Sequence, residues 1–114
     1  MVTSARFRRG DVVYLDFDPQ AGHEQRGRRP AFVVSDDSFQ KYTDLILVCP
    51  VTNRDSGYPL HVALEEGCRT TGFVMCEQIK SVDPTARHAE FFEHASEAMV
   101  DRIMEIIATF FEPR

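Results

Sequence analysis

The sequence is poor in cysteine, has no long apolar run and carries no excess of positive charge, and each shortage removes a class of protein. Its three cysteines, Cys49, Cys68 and Cys76, are odd in number and show no close pairing motif. That argues against a disulfide framework, and because Cys49 and Cys76 lie inside apolar stretches it points to buried thiols in a reducing compartment. No run approaches the ~18 apolar residues of a membrane span. The opening, Met1 to Arg9, is polar and basic with no apolar region behind it, so the expectation is a protein that stays in the cytoplasm. Low-complexity segments and internal repeats are missing too, which leaves neither a disordered tail nor a solenoid. The net charge of −5 is wrong for a protein that coats nucleic acid through bulk positive charge.

What is present fits one small folded domain. A chain of 114 residues has room for a single core, and 1–114 is read as one domain. The 43% hydrophobic content, with nine Phe as bulky filler, suffices for a core without metal or disulfide staples. Asp11–Phe17 is β-branched and aromatic and reads as a strand. Gln20–Arg29 reads as a loop with glycines at 22 and 27, and Pro30 starts a second strand over Ala31–Ser35. Asp36–Tyr42 is polar with Phe39 inside it and reads as a loop with room for one helical turn. Leu45–Val51 is a continuous apolar run of strand length, expected to be buried on both faces. Short strands follow at Leu60–Leu64, Gly72–Val82 and Ala89–Glu93, the second interrupted by Glu77 and Gln78. Ser96 is an N-cap candidate for a final helix from about Glu97 to Phe111, whose apolar residues Met99, Ile103, Ile106, Ile107 and Phe110 recur at helical spacing. Many short strands closed by one amphipathic helix predict a mainly β fold with α: a small barrel capped by that helix.

Within this acidic chain, Arg26, Arg28 and Arg29 fall within four positions, a local positive focus suited to an anion. Glu77 is the opposite anomaly, a charge inside an apolar strand. Such a charge is costly unless paired or used, so Glu77 is either the partner of Arg29 or Lys80 or a functional group. The four histidines, His23, His61, His88 and His94, show no metal-ligand spacing, and no cofactor motif is visible. Tyr14, Phe17 and Tyr58 can either fill the core or stack on unpaired bases.

The chain contains the blocks Arg9-Gly-Asp-Val-Val-Tyr-Leu-Asp-Phe-Asp-Pro19, Gly22-His-Glu-Gln-Arg-Gly-Arg-Arg-Pro30, Cys49-Pro-Val-Thr-Asn53, Gly57-Tyr-Pro59, Thr71-Gly72 and Glu77-Gln-Ile-Lys-Ser-Val-Asp83. Together these resemble the MazF/PemK toxin family, with the Gly-His-Glu-Gln form closer to its PemK/Kid branch. They occur in the family's order across about residues 9 to 110. The resemblance implies an SH3-like barrel of the CcdB/MazF type and a homodimer. It implies sequence-selective cleavage of single-stranded RNA, leaving a 2′,3′-cyclic phosphate and a 5′-hydroxyl. It also implies a cognate antitoxin whose extended C-terminal segment occupies the RNA groove.

Cleavage by the RNA's own 2′-hydroxyl needs a proton acceptor, stabilisation of charge at phosphorus and protonation of the leaving 5′ oxygen, but no protein nucleophile and no metal. Arg29 is the leading candidate, since a guanidinium forks onto phosphate oxygens and stays charged. The resemblance adds Thr52 as a phosphate donor and Glu24 as the base. His23, Glu77, Gln78 and Arg28 are further candidates for catalysis or RNA binding: His23 and Glu77 as alternative bases, Gln78 as a loop anchor or reader of a base edge. Two departures from the family pattern stand out. Position 23 is His where many members have Ser, and Met75 and Glu77 flank Cys76 where the PemK/Kid branch has Arg and Asp. A gyrase poison of the CcdB type is the rival reading, but its mode depends on a terminal Trp-Gly pair, and this chain has no Trp and ends Phe-Phe-Glu-Pro-Arg. A non-catalytic SH3-like peptide module is the second rival.

Overall fold

A computed structural model describes residues 6–17, 27–55 and 57–113. The chain runs β1 (Asp11–Phe17), β2 (Gly27–Val33), α1 (Asp37–Thr43), β3 (Ile46–Thr52), β4 (His61–Ala63), β5 (Phe73–Met75), a 3₁₀ turn (Cys76–Gln78), β6 (Lys80–Val82), β7 (Glu90–His94), α2 (Glu97–Ala108) and a last 3₁₀ turn (Thr109–Phe111). It is mainly β with a C-terminal helix. All the pairings are antiparallel. The strand order is β4-β5-β3-β2-β1-β7, with β6 also paired to β3.

Both faces of the central strands are buried, which is why they read as continuous apolar runs. Alternate side chains of a strand point to opposite faces. Val12, Phe32, Cys49 and Val51 join Met99, Ile103 and Ile107 of α2 in one cluster. Val13, Leu15, Phe17, Ala31, Val33, Ile46 and Val48 form a second with Phe7 and Val82 on the other face. Helix α2 begins where the Ser96 hydroxyl accepts the Met99 N–H at 3.2 Å, the expected cap. Its buried stripe, Met99, Ile103 and Ile107, covers the first cluster, each aliphatic side chain contributing roughly 1.5–3 kcal/mol by leaving water.

The ladders do not close on themselves among the described residues: none joins β4 to β7. A carboxylate bridges the two ends instead. Glu93 on β7 accepts the backbone N–H groups of Arg69 and Thr70, at 2.9 and 2.8 Å, and the Thr70 hydroxyl. Arg69 also lies 4.1 Å from the Phe92 ring centroid.

Three expectations need correction. Gly27 to Arg29 belong to β2 rather than to a loop, because the register of β1 with β2 runs from Val12↔Phe32 to Phe17↔Gly27 and long-range pairing overrides the local signal of Gly27. Residues 37–43 form a full short helix, capped by the Asp36 carboxylate, which accepts the Ser38 and Phe39 N–H groups. The segment Gly72–Val82 is not one strand. Pro50 sits in the middle of β3 with no N–H to give, and the partner chain leaves the ladder there. Paired positions sum to 125 at Val51↔Val74 and to 128 at Val48↔Lys80. Three extra residues are therefore accommodated, and they are the 3₁₀ turn Cys76-Glu77-Gln78.

Candidate active site

Arg29 and Thr52 come to one face of the sheet through strand register. Ala31 pairs with Pro50, and a further two residues along each strand reaches Arg29 and Thr52. Residues two apart on a strand share a face, so both follow Ala31 and Pro50 on the face of the second cluster. Thr52 in turn pairs with Phe73, and Phe73 with Ala63, extending one row across β2, β3, β5 and β4. Met75 and His61, also a register pair, lie one step along on that same face.

Arg29 is exposed. Thr52 is half-buried, and its hydroxyl oxygen accepts the Arg54 N–H at 3.2 Å. That turn ties off the strand yet leaves the hydroxyl's own proton to donate outward. Gly72, at φ +125°, lies against this point: a Cβ there would stand 2.6 Å from the Thr52 carbonyl oxygen and 3.1 Å from Asn53 Oδ1. Lys80 pairs with Val48, a member of the second cluster, and its Nζ sits 5.2 Å from the Phe17 ring centroid. A second positive charge thus joins Arg29 in a chain that is acidic overall.

Glu77 occupies the 3₁₀ turn. Its Oε2 meets His61 Nε2 at 3.0 Å and Gln78 Nε2 at 3.4 Å. The sequence offers Glu77 as a partner of Arg29 or Lys80 or as a functional group; its partner here is a histidine that the sequence gives no reason to single out. Only the β4–β5 register brings residue 61 beside residue 77. Tyr58, partly exposed, packs edge-on against His61 with ring centroids 5.1 Å apart. Gln78 is exposed at the rim. Phe17 is buried and Tyr14 packs edge-on against Phe92, so of the three aromatic candidates Tyr58 is the exposed one.

Arg28 belongs to the opposite face. Its guanidinium donates to Asp16 at 3.0 Å, to Glu90, and to the His88 carbonyl at 2.8 Å. Its pKa is raised by the Glu90 hydrogen bond first and the Asp16 one second. Asp16 is held below its usual range by hydrogen bonds from His88 and Arg28. This network pins the base of the β1–β2 hairpin to the segment before β7. His23 and Glu24 lie outside the described residues. Among the described residues, no three His, Cys, Asp or Glu side chains converge in a way that could hold a metal ion.

A family profile described as "PemK-like, MazF-like toxin of type II toxin-antitoxin system" matches residues 8–111. The chain belongs to the PemK/MazF toxin family. It is 36% identical over 107 residues to Endoribonuclease PemK of Escherichia coli, an alignment covering 89% of this chain and 79% of that one. Its fold matches the crystal structure of MazF (Form-I) from Deinococcus radiodurans with a TM-score of 0.84 at 36% identity, covering 94% of this chain and 97% of the other. A MazE–MazF structure from the same organism (Form-II) gives a TM-score of 0.82 at 36% identity, covering 94% and 96%. The shared face of Arg29 and Thr52 thus sits on a PemK/MazF fold. No helix among the described residues is long and apolar enough to cross a membrane.

Proposed function

We infer that this chain is an endoribonuclease toxin that cuts single-stranded RNA through attack by the RNA's own 2′-hydroxyl, without a metal ion. The observation that carries this reading is the common face of Arg29 and Thr52, set by register on a fold of this family. A phosphate in front of them meets a permanent cation able to fork onto two oxygens and a hydroxyl with a proton to give. As the 2′ oxygen bonds to phosphorus, Arg29 stabilises the charge on the pentacovalent centre and Thr52 donates to a non-bridging oxygen. A carboxylate, Glu24 or Glu77, takes the 2′ proton. The P–O5′ bond breaks, and the 5′ oxygen takes a proton from water. The products are a 2′,3′-cyclic phosphate and a 5′-hydroxyl.

The same reading makes the chain one domain over 1–114, working in the cytoplasm as a homodimer and silenced by a cognate antitoxin whose extended segment lies along the RNA-binding face. It also makes the sheet a small SH3-like barrel. Burial on both faces of β1 to β3, and the Glu93 bridge between the sheet's ends, support that description. The Escherichia coli relative is named an endoribonuclease, which favours this reading over a gyrase poison or a peptide-binding module. The test is a degenerate RNA library incubated in EDTA with wild-type and Arg29→Ala protein, with cut ends mapped. Cuts at a short repeated motif that vanish in the variant support the reading. No cuts from folded wild-type protein, or loss of all cutting on chelation, overturn it.

A further inference from the structure

Phe73 carries an aromatic ring that the core does not use. Phe7, Phe17 and Phe32 are buried within the two core clusters. Phe73 is half-buried and belongs to neither. Pairing on both sides holds its backbone, to Thr52 of β3 and to Ala63 of β4. Residues paired in register present their side chains to the same face, so the ring lies on the face of Thr52 and Arg29. Its β4 neighbour, Ala63, is exposed and ends at a methyl group, so that paired position sends no long side chain over the ring.

The row through Thr52 offers this surface on one side only. Neighbouring strands lie about 4.8 Å apart, so a phosphate between Arg29 and Thr52 puts the base of a flanking nucleotide about one strand further on. On the β1 side the position paired with Arg29 is Leu15, which is fully buried and presents no ring. On the β5 side it is Phe73. Tyr58 is more exposed, at 48%, but it packs against His61 of β4, two strands from Thr52. Unpaired bases are gripped by stacking on aromatic side chains. A ring already half-buried loses little rotamer freedom when a base settles on it.

We propose, resting on the ribonuclease reading above, that Phe73 is the platform on which a base flanking the scissile phosphate stacks, with Ala63 keeping the slot beside it open. Every base has a π-face, so the contact supplies affinity and sets the register of the strand at the phosphate without selecting one base. Phe73 thus binds substrate beside Arg29 and Thr52 and takes no part in proton transfer.

The test measures kcat, KM and melting temperature of the whole chain as wild type, Phe73→Leu, Phe73→Trp and Ala63→Leu. The substrates are an RNA oligonucleotide carrying the mapped cut site and two copies of it, abasic at the nucleotide 5′ or 3′ of the scissile phosphate. Phe73→Leu, which keeps apolar bulk without a π-face, is expected to raise KM about ten-fold with kcat changed less than about three-fold. Phe73→Trp stays within about three-fold of the wild-type KM. Ala63→Leu, which fills the slot and leaves the ring in place, raises KM as well. One of the abasic strands raises KM for wild type by a similar factor and adds nothing in Phe73→Leu, because base and ring form one contact. Exchanging the base at that position changes KM less than removing it does. Wild-type KM in Phe73→Leu or Ala63→Leu, losses that multiply for both abasic strands, or a lowered melting temperature with KM unchanged would each overturn the proposal. A readout free of cleavage uses 2-aminopurine at that position in a strand whose cut site carries a 2′-deoxy residue. Its fluorescence is quenched on saturation with wild type and stays bright with Phe73→Leu; equal quenching by both contradicts stacking on Phe73. If wild-type protein cuts no RNA, the ribonuclease reading fails and this role fails with it. If wild type cuts and Phe73→Leu matches it in KM, the stacking role alone fails.

Discussion

Arg29 and Thr52 stand on one face of the sheet, each two residues beyond the Ala31–Pro50 pair that locks β2 to β3. One comes from a strand that begins at a glycine and the other from the end of a strand that contains a proline. Arg29→Ala is expected to lower kcat by about 10²–10³-fold, the usual loss when a donor to a developing oxyanion is removed. Thr52→Val, which keeps the shape and removes one neutral hydrogen bond, should cost about five- to ten-fold. Arg28→Ala, on the other face, should change cleavage far less than Arg29→Ala. Equal losses for the two arginines in a single-turnover assay would contradict the division of the faces.

Gly72 is the residue that lets β5 come up against Thr52. Its φ is +125°, and a Cβ added to it would stand 2.6 Å from the Thr52 carbonyl oxygen. Gly72→Ala therefore both strains the backbone and displaces the candidate phosphate donor. Stability is expected to fall by about 1–3 kcal/mol, with a loss in kcat as well. Gly57→Ala, at φ +70° but facing open space, should show strain with little effect on cleavage. Chemical denaturation and kcat of the two variants, measured side by side, check this.

Glu93 makes one stability contribution depend on acid. Burial pushes its pKa upward, but the Thr70 hydroxyl, the Arg69 and Thr70 amides and the Arg69 charge together hold it below the ordinary 4.5. A carboxylate depressed by folding stabilises the protein above its unfolded pKa, and that stabilisation is lost as pH falls through the folded value. Asp16 and Asp36, also lowered, act with the same sign. Glu93→Gln should therefore melt lower at pH 7 and show a shallower decline in melting temperature below about pH 4.5. An unchanged acid limb would remove Glu93 from this role.

Cys49 and Cys76 are fully buried, in keeping with their apolar surroundings in the sequence. Burial, with smaller contributions from neighbouring Glu77 and, for Cys49, Cys76, pushes the Cys76 thiol up to about 11 and the Cys49 thiol higher still. The thiolate is the reactive form. Native protein at pH 8 should thus react with a thiol reagent only at the half-buried Cys68, and slowly, since its pKa is raised as well. All three should react in guanidinium. Rapid labelling of Cys76 in the native state would contradict the packing beneath the 3₁₀ turn.

The first strand, the last helix and its Ser96 cap are legible in the sequence because each rests on local periodicity and local capping. The start of β2 is not, since Gly27 signals a loop and only pairing with Phe17 makes it strand. The 3₁₀ turn is half visible: Glu77 and Gln78 mark an interruption, but its cause lies in a three-residue mismatch against β3 around Pro50. The pairing of His61 with Glu77 spans sixteen residues and depends wholly on the β4–β5 register, so neither residue announces the other. Arg28 and Arg29 look alike in sequence, and it is strand alternation that sends one into a structural network and the other to the candidate site.

The most direct test of RNA self-cleavage on this face uses two oligonucleotides with the mapped cut motif, one all ribose and one with a single 2′-deoxy residue immediately 5′ of the scissile phosphate, both in EDTA. The all-ribose strand should be cut to a 2′,3′-cyclic phosphate and a 5′-hydroxyl, and the substituted strand should stay intact. Cleavage of the deoxy strand at a comparable rate would contradict 2′-hydroxyl attack.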